Sequence, residues 1–154
     1  MHNSQHTDSD LTQNITRYLI DDAATLALGS EISDVLHAGL TIYLNGNLGA
    51  GKTTLARGIL HGLGYKHVVK SPTYNLVEIY KISRLYLYHF DFYRFNDPIE
   101  WEEAGFREYF NTDTVCLVEW TNCYPMQICR FLSTSLSQAE ILKFKRVRRQ
   151  ENDV

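Results

Sequence analysis

The sequence predicts an α/β fold in which a mixed or mostly parallel β-sheet is flanked by helices. Short apolar runs such as LTIYLN and TVCLVEW are typical of buried strands. Stretches with apolar residues at helical spacing alternate with these runs, which is the order expected of α/β proteins. In addition, the glycine-rich stretch LNGNLGAGKTTLARG joins one predicted strand directly to a predicted helix.

The composition indicates one folded domain. The chain has 154 residues, of which 44% are hydrophobic and 21% are charged, and this is enough for a core of its own. No apolar run approaches the roughly 20 residues that cross a bilayer, and the polar N-terminus lacks the pattern of a secretion signal. We therefore expect a cytoplasmic protein without a membrane partner, with a disordered leader at residues 1–14 and one domain at residues 15–154.

Charge and cysteine content argue against two other classes of protein. The net charge of −3 gives no overall basic field for nucleic acid, although five cations are concentrated at residues 143–149. The three cysteines, Cys116, Cys123 and Cys129, are odd in number and form no C-x-x-C pair. This pattern favours reduced thiols over a disulfide framework or a zinc site.

The first half of the chain predicts two strands and two helices. TRYLI, residues 16–20, predicts a short strand, and Asp21 or Asp22 would cap the helix that follows. Apolar residues at helical spacing continue this helix as far as HAG. LTIYLN then predicts a buried strand, and the second helix runs from about Lys52 to Leu63.

The second half predicts three strands, one helix and a hairpin. SPTYNLVEIY and LYLYHFDFYRF both predict strands because they are rich in aromatic and aliphatic residues. DPIEWEEAGFREYF predicts one helix with Asp97 as its N-cap and Pro98 at its first position. TVCLVEW predicts a buried strand, and the alternating ILKFKRV predicts part of a closing hairpin.

The glycine-rich stretch contains a phosphate-binding motif. Residues 46–53, GNLGAGKT, satisfy G-x-x-x-x-G-K-[ST], and the flanking strand and helix supply the context that this motif requires. Glycines let the backbone turn tightly and aim several N–H groups at one anion, and the helix N-terminus favours negative charge. The sequence therefore predicts a single P-loop NTPase domain that binds a nucleoside triphosphate.

The residues of this loop have separate expected roles. Lys52 would carry a positive charge to the β- and γ-phosphates, and the Thr53 hydroxyl would bind Mg²⁺, which prefers oxygen ligands. Thr54 would lie near the α-phosphate. The predicted nucleotide-binding residues are Asn47, Gly49, Ala50, Gly51, Lys52, Thr53 and Thr54.

Two acids stand where a P-loop site needs carboxylates. Asp91 ends LYLYHFD and Glu119 ends VCLVE, and ligands of open α/β sheets bind at the carboxyl ends of strands. One acid would hold Mg²⁺, directly or through water, and the other would orient or activate the attacking water. The residues alone leave the assignment open, and a salt bridge at a strand end is the alternative for each.

Three further residues near these acids are candidates. Thr73 in SPTY would offer its hydroxyl to the metal or the γ-phosphate, although an ordinary loop with a turn proline has the same spacing. His89 shares a strand face with Asp91 and would hydrogen-bond that carboxylate. Arg94 would pair with an acid or a phosphate. Packing roles for His89 and Arg94 fit the sequence equally well.

These motifs occur together in one known family. LNGNLGAGKTTLARG, VKSPTYNLVEIY, YHFDFYR and LVEW have the order and spacing of the bacterial TsaE (YjeE) family, which the chain resembles over roughly residues 15–122. The upstream stretch TLALGSEISDVLHAG is similar to the family's first helix. The family consists of small P-loop ATPases needed for threonylcarbamoyladenosine (t6A) in tRNA.

The resemblance implies which residues act on ATP and Mg²⁺. It matches Glu119 to a metal-associated glutamate, Asp91 to an acid that supports hydrolysis and Thr73 to a switch-like threonine. Lys52, Asp91 and Thr73 would then be the catalytic residues, and Thr53 and Glu119 would be the metal ligands.

The resemblance also implies partners. A member of this family would act as a monomer that binds the TsaB–TsaD pair and contacts tRNA only through that complex. It would hydrolyse ATP without transferring the threonylcarbamoyl group itself. Trp120, directly after Glu119, corresponds to a functionally sensitive aromatic residue of the family.

Two other functions fit parts of the sequence. A small-molecule kinase shares the P-loop, but nucleotide-type kinases need an arginine-bearing lid, and few arginines follow the central helix. A GTPase is disfavoured because the guanine-reading motif N-K-x-D is absent. A nucleic-acid module would use the basic tail KFKRVRRQ, although such a charge run is more often a solvated strand face.

Overall fold

The fold is a five-stranded mixed sheet with helices on both faces. The computed structural model describes residues 15–94, 97–120 and 139–144. The strands are β1 (Thr41–Gly46), β2 (Val77–Ile82), β3 (Leu85–Asp91), β4 (Thr114–Trp120) and β5 (Ala139–Phe144). Their order across the sheet is β2-β3-β4-β1-β5, and only β2 pairs antiparallel with its neighbour. The prediction of a mixed, mostly parallel sheet is confirmed.

The helices begin where the sequence provides caps. They are α1 (Asp22–Ser33), α2 (Lys52–Gly62) and α3 (Pro98–Glu103), followed by a 3-10 turn at Phe106–Tyr109. The Asp21 side chain accepts a hydrogen bond from the Ala24 N–H at 2.8 Å, and Asp97 accepts one from Ile99 at 2.9 Å. Both satisfy N–H groups that have no acceptor inside the helix.

Strand alternation divides the core into two layers. Leu87, Leu117 and the buried residues of α2 form one layer between the sheet and that helix. The opposite face of the sheet carries an aromatic layer that includes Phe90, Trp101 and Phe110. Successive residues of a strand point to opposite faces, so the odd-numbered residues of β3 and β4 face α2.

The parallel register brings three strand ends to one edge of the sheet. Asp91 of β3 is the register partner of Glu119 of β4, and Glu119 is also the partner of Leu44 near the end of β1. The loop that leaves β1 enters α2 at this same edge. Residues far apart in sequence are therefore grouped beside the glycine-rich loop.

Two glycines set the distance between α1 and α2. A Cβ atom added to Gly29 would lie 2.7 Å from both the Ile59 nitrogen and the Leu55 carbonyl oxygen. One added to Gly58 would lie 2.5 Å from the carbonyl oxygen of Leu26. These contacts are to backbone atoms, which cannot turn aside as a flexible side chain can. The close crossing fixes α2, and with it the start of the helix at Lys52.

Three predicted elements differ from the structure in the first two-thirds of the chain. The strand predicted at residues 16–20 is wrong, because this segment is outside all helices and strands and Tyr18 is 91% exposed. The first helix ends at Ser33, before HAG, and Val35 beyond it is exposed. The strand predicted from SPTY onward begins only at Val77, because residues 72–75 form a turn closed by the Leu76 N–H on the Pro72 carbonyl.

Two differences follow in the remainder. The single helix predicted from Asp97 is divided by Gly105, whose φ of +74° ends α3 before the 3-10 turn begins. The closing strand is present as β5, but it pairs parallel with β1, whereas a hairpin requires antiparallel pairing. The other half of that predicted hairpin, the leader at residues 1–14 and most of the basic tail lie outside the described residues.

Within the described ranges, no helix is both long enough and apolar enough to cross a membrane. Of the predicted reduced thiols, Cys116 is buried in the aromatic layer and is free. Its burial raises the pKa of the thiol to about 12. Cys123 and Cys129 lie outside the described part of the chain.

Candidate functional site

The loop between β1 and α2 has the backbone conformation that its glycines allow. Gly49 and Gly51 have φ values of +75° and +111°, which side chains with a Cβ rarely adopt. A Cβ at Gly49 would meet no atom within 4 Å, so the surface above this residue is open. Directly after Gly51, the first N–H groups of α2 have no acceptor within the helix. The loop therefore presents N–H groups to a space that an anion can fill.

Lys52 lies inside the loop. Its ammonium group donates hydrogen bonds to the carbonyl oxygens of Gly46 at 2.6 Å and Asn47 at 3.0 Å. The residue is only 8% exposed, and burial lowers the pKa of the amine, while the carboxylates of Glu119 and Asp91 act in the opposite direction. Two loop carbonyls and two nearby acids thus hold one cation at the strand edge.

Thr53 and Glu119 face each other across the start of α2. The Thr53 hydroxyl lies 3.1 Å from Oε1 and 3.3 Å from Oε2 of Glu119 and donates to this carboxylate. Glu119 is buried, and the Phe92 N–H donates to its main-chain carbonyl at 3.1 Å. An alcohol oxygen and a carboxylate at this position are ligand types that Mg²⁺ prefers.

His89 contacts Glu119 and not Asp91, the partner that the sequence predicted for it. Its Nε2 lies 2.6 Å from Glu119 Oε1, and its side chain is fully buried. The hydrogen bond predicted between His89 and Asp91 is wrong. His89 and Asp91 do share a strand face, but the register of β3 against β4 directs the imidazole to the acid on the neighbouring strand.

Asp91 has a different set of partners. The Thr73 hydroxyl donates to Asp91 Oδ2 at 3.3 Å, and the Tyr93 N–H donates to Oδ1 at 3.0 Å. The Ser71 and Thr73 hydroxyls are 2.7 Å apart. The carboxylate is partly exposed and is therefore open to water. The turn that carries Thr73 is in this way connected to the end of β3.

The other predicted residues lie around this group. The Arg94 guanidinium carbon is 4.8 Å from the centre of the Tyr74 ring, a cation–π contact that agrees with the packing alternative for this residue, and its pairing with a phosphate stays a prediction. Thr54 is partly exposed in the first turn of α2. The Ala50 N–H donates to the Asn47 carbonyl at 3.0 Å, which closes the loop turn. The side chain of Trp120 lies outside the described part of the structure.

The arrangement suits a polyphosphate with a divalent cation. The described residues include no group of three or more His, Cys, Asp or Glu side chains that would hold a metal alone. Magnesium at phosphate sites is usually held by one or two protein oxygens together with waters and phosphate oxygens. Thr53 and Glu119 fit that limited role, and they lie beside the cation of Lys52.

Sequence reasoning missed two features of this site. The carbonyl groups that hold the Lys52 ammonium, from Gly46 and Asn47, belong to backbone and leave no residue-type signal. The contact between His89 and Glu119 depends on strand register, which the hydrophobic pattern of two buried strands does not specify. The available signal was the polar His89 within an otherwise apolar run.

Comparisons with known proteins find similarity to one family over most of the chain. The model of the family described as "Threonylcarbamoyl adenosine biosynthesis protein TsaE" matches residues 19–150. The chain is 48% identical over 114 residues to the tRNA threonylcarbamoyladenosine biosynthesis protein TsaE of Haemophilus influenzae, covering 71% of this chain and 72% of the relative. It is 38% identical over 109 residues to the Bacillus subtilis protein of the same name, covering 71% and 68%.

A relative of the same name from Nostoc is 34% identical over 138 residues, covering 82% of this chain and 85% of the relative. Among solved structures, the crystal structure of YdiB from Bacillus subtilis matches with a TM-score of 0.57 and 30% sequence identity. That match covers 80% of this chain and 72% of YdiB. The fold likeness thus extends over most of the chain.

Proposed function

The chain belongs to the TsaE family, whose model matches residues 19–150, and from this premise we propose that it is an ATP-binding and ATP-hydrolysing accessory protein. We propose that t6A modification of tRNA requires its action; its relatives in Haemophilus influenzae and Bacillus subtilis are named as tRNA threonylcarbamoyladenosine biosynthesis proteins. In this role it does not transfer the threonylcarbamoyl group itself.

One observation carries the proposal: Thr53 meets both carboxylate oxygens of Glu119 directly beside the loop that encloses Lys52. A glycine-rich turn that served only to connect β1 with α2 would need neither a buried cation nor a hydroxyl–carboxylate pair. Burial of charged groups is costly unless they have partners or a function. The group therefore supports binding of a triphosphate with its metal.

Each residue of the group has a chemical task. The N–H groups of the loop and the Lys52 ammonium bind the β- and γ-phosphates, where the cation offsets charge that develops during hydrolysis. Thr53 and Glu119 would hold Mg²⁺, which would supply positive charge to neutralise part of the charge on the phosphates.

Asp91 is the residue that we assign to the attacking water. Its carboxylate is partly exposed, accepts a hydrogen bond from Thr73 and lies beside Glu119 in register. A carboxylate held in this way can orient a water molecule and accept its proton. Thr73, on the turn before β2, couples that carboxylate to the segment that would respond to the γ-phosphate.

Membership of the TsaE family is the basis for the proposed partners. We propose that the protein binds the TsaB–TsaD pair, that it contacts tRNA only through this complex, and that ATP hydrolysis supports turnover or resetting of the complex. In this scheme the protein acts through protein contacts and its nucleotide state, and direct binding of RNA is not needed.

The test combines a tRNA assay with a binding assay. Lys52→Ala should abolish rescue of a strain that lacks its own TsaE, measured as t6A in bulk tRNA, whereas Lys66→Ala, an exposed lysine away from the loop, should rescue fully. Pull-down of TsaB and TsaD by the wild-type protein should differ between ATP, ADP and no nucleotide. Full rescue by Lys52→Ala would refute the proposal. Phosphorylation of a metabolite, without capture of either partner, would instead favour the small-molecule kinase.

A further inference from the structure

His89 is a fully buried polar side chain at the edge of the apolar layer that faces α2. It lies on β3 between Leu87 and the end of the strand, on the face that packs against α2. Its Nε2 is 2.6 Å from Glu119 Oε1, whereas its Nδ1 is buried without a hydrogen-bond partner among the described residues. We infer that His89 is a positioning residue that fixes the orientation of the Glu119 carboxylate toward the metal.

The role proposed for Glu119 assigns the proton on His89. A carboxylate that binds Mg²⁺ is ionised and only accepts hydrogen bonds, so we place the donor hydrogen of the contact with Glu119 Oε1 on Nε2. In the neutral ring Nδ1 is then an acceptor, and no donor to it lies among the described residues. The contact with Glu119 thus comes with a buried nitrogen that has no partner in that part of the chain. Unsatisfied buried groups of this kind are uncommon and call for an explanation.

Packing alone does not explain the choice of residue. On this face His89 lies between the apolar Leu87 and Leu117 on one side and the acids Asp91 and Glu119 on the other. An aromatic hydrocarbon ring of similar size would fill the space without leaving a buried nitrogen unpaired. What such a ring lacks is the donor to Glu119. The hydrogen bond, and not the volume, is therefore the feature that distinguishes histidine here.

The two partners of Glu119 act differently on its carboxylate. Thr53 contacts both oxygens, at 3.1 and 3.3 Å, and therefore does not by itself fix the rotation of the carboxylate group. His89 contacts Oε1 alone and at shorter distance, which fixes the rotation of the group. When Thr53 turns its oxygen lone pairs to a metal, the contact with His89 still holds the carboxylate. Loss of a partner that orients a metal ligand in this way typically lowers metal affinity by about 10- to 100-fold.

This inference rests on the proposed Mg²⁺–nucleotide site, and the test separates the two. ADP binding is measured by calorimetry with and without MgCl₂ for the wild-type protein, His89→Phe and His89→Gln. In His89→Phe the Kd for ADP with MgCl₂ should rise about tenfold or more, and without MgCl₂ it should stay within about twofold of wild type. The side-chain amide of His89→Gln can donate from nearly the same place, so this variant should regain most of the metal response.

The outcomes are distinct. A wild-type protein whose ADP affinity ignores MgCl₂ would overturn the proposed metal site and this inference with it. If the wild type responds and His89→Phe responds equally, the inference alone is overturned. If His89→Phe does not fold, His89→Asn replaces it, because its shorter side chain keeps an amide but cannot reach Glu119.

A double variant provides an independent check. If His89 acts through Glu119, adding His89→Phe to Glu119→Gln should produce little further loss of the MgCl₂ response, since the group being positioned has already lost its charge. Two losses that simply multiply would show that His89 acts by another route and would overturn the inference.

Discussion

Asp91 and Glu119 are direct register partners on neighbouring parallel strands, yet each is bound by a different hydroxyl. Glu119 is buried and accepts a hydrogen bond from Thr53, at the start of α2. Asp91 is partly exposed and accepts from Thr73, on the turn before β2. The difference in burial and in partners is the basis on which we propose separate roles for the two acids, an assignment that the order of residues along the chain left open.

Replacement of Glu119 should affect the metal. In Glu119→Gln the side chain keeps its shape but loses the charge that would hold Mg²⁺, so the MgCl₂ concentration that gives half-maximal ATP hydrolysis should rise at least about tenfold. Titration of MgCl₂ at saturating ATP measures this. Glu103→Gln, at an exposed glutamate that ends α3, is the matched control and should behave as wild type. An unchanged metal requirement in Glu119→Gln would contradict the assignment.

Replacement of Asp91 should affect turnover and leave binding intact. An amide at this position cannot accept a proton from water, and removal of a general base commonly costs about 100-fold or more in rate. Asp91→Asn should therefore lower kcat by at least about 100-fold while the Kd for ADP with MgCl₂ stays within about threefold. Single-turnover hydrolysis and calorimetry give the two numbers. Asp113→Asn, at an exposed aspartate before β4, is the control. A large loss of nucleotide affinity without a loss of kcat would reverse the roles of Asp91 and Glu119.

The local parts of the site could be predicted from the sequence. The phosphate loop is a contiguous motif, and its strand and helix boundaries lie within the same short segment, so Gly46 to Thr53 could be assigned without knowledge of distant contacts. The cap at Asp97 is local in the same sense. Asp91 and Glu119 were assigned to one edge because parallel strands end together.

Contacts that depend on register could not be predicted. A shift of β3 by two residues against β4 would preserve every buried face, yet it would place another side chain beside Glu119 in place of His89.

The break at Gly105 could have been predicted, because a glycine with positive φ is a common helix end and the signal was present in the sequence. The strand predicted at residues 16–20 failed because its apolar side chains, such as Tyr18, are exposed and gain nothing from burial.

The buried thiol of Cys116 should be protected from alkylation. Its pKa of about 12 leaves almost no thiolate at pH 9, whereas the same thiol in the unfolded chain is about half ionised there. In a Cys123→Ser/Cys129→Ser background, iodoacetamide at pH 9 should label Cys116 only after urea unfolds the protein, as mass spectrometry would reveal. Rapid labelling of the folded protein would contradict the burial of this residue.

The same thiol should make stability fall at high pH. As the pH rises above about 9, the unfolded chain releases the Cys116 proton while the folded chain retains it. The free energy of unfolding therefore falls progressively until the pH reaches about 12, the pKa of this thiol in the folded protein. The contribution to the slope is at most about 1.4 kcal/mol per pH unit. Urea unfolding at pH 8, 9 and 10 should show a steeper decline for the protein with Cys116 than for Cys116→Ala in the same background. Parallel pH profiles would exclude this contribution.

The crossing of α1 and α2 makes Gly29 intolerant of even one methyl group. In an exposed helix position, alanine is favoured over glycine by about 1 kcal/mol. At Gly29 a Cβ would lie 2.7 Å from backbone atoms of Leu55 and Ile59 on α2, and forcing extra volume into a close-packed contact costs about 1–3 kcal/mol. Gly29→Ala should therefore lower the free energy of unfolding despite its better helix propensity, and the displaced α2 should weaken nucleotide binding at Lys52.

Urea unfolding measures the first effect, and the Kd for ADP measures the second. Ser30→Ala changes the neighbouring exposed position on the same helix and should shift stability by no more than about 0.5 kcal/mol. If Gly29→Ala proves as stable as the wild type with an unchanged m-value, the two helices do not meet as closely as described, and α1 does not hold the phosphate loop helix in place. If Gly29→Ala is destabilised while its Kd for ADP is unchanged, the close packing of α1 on α2 is confirmed, and the position of Lys52 is set by the sheet edge instead of by α1.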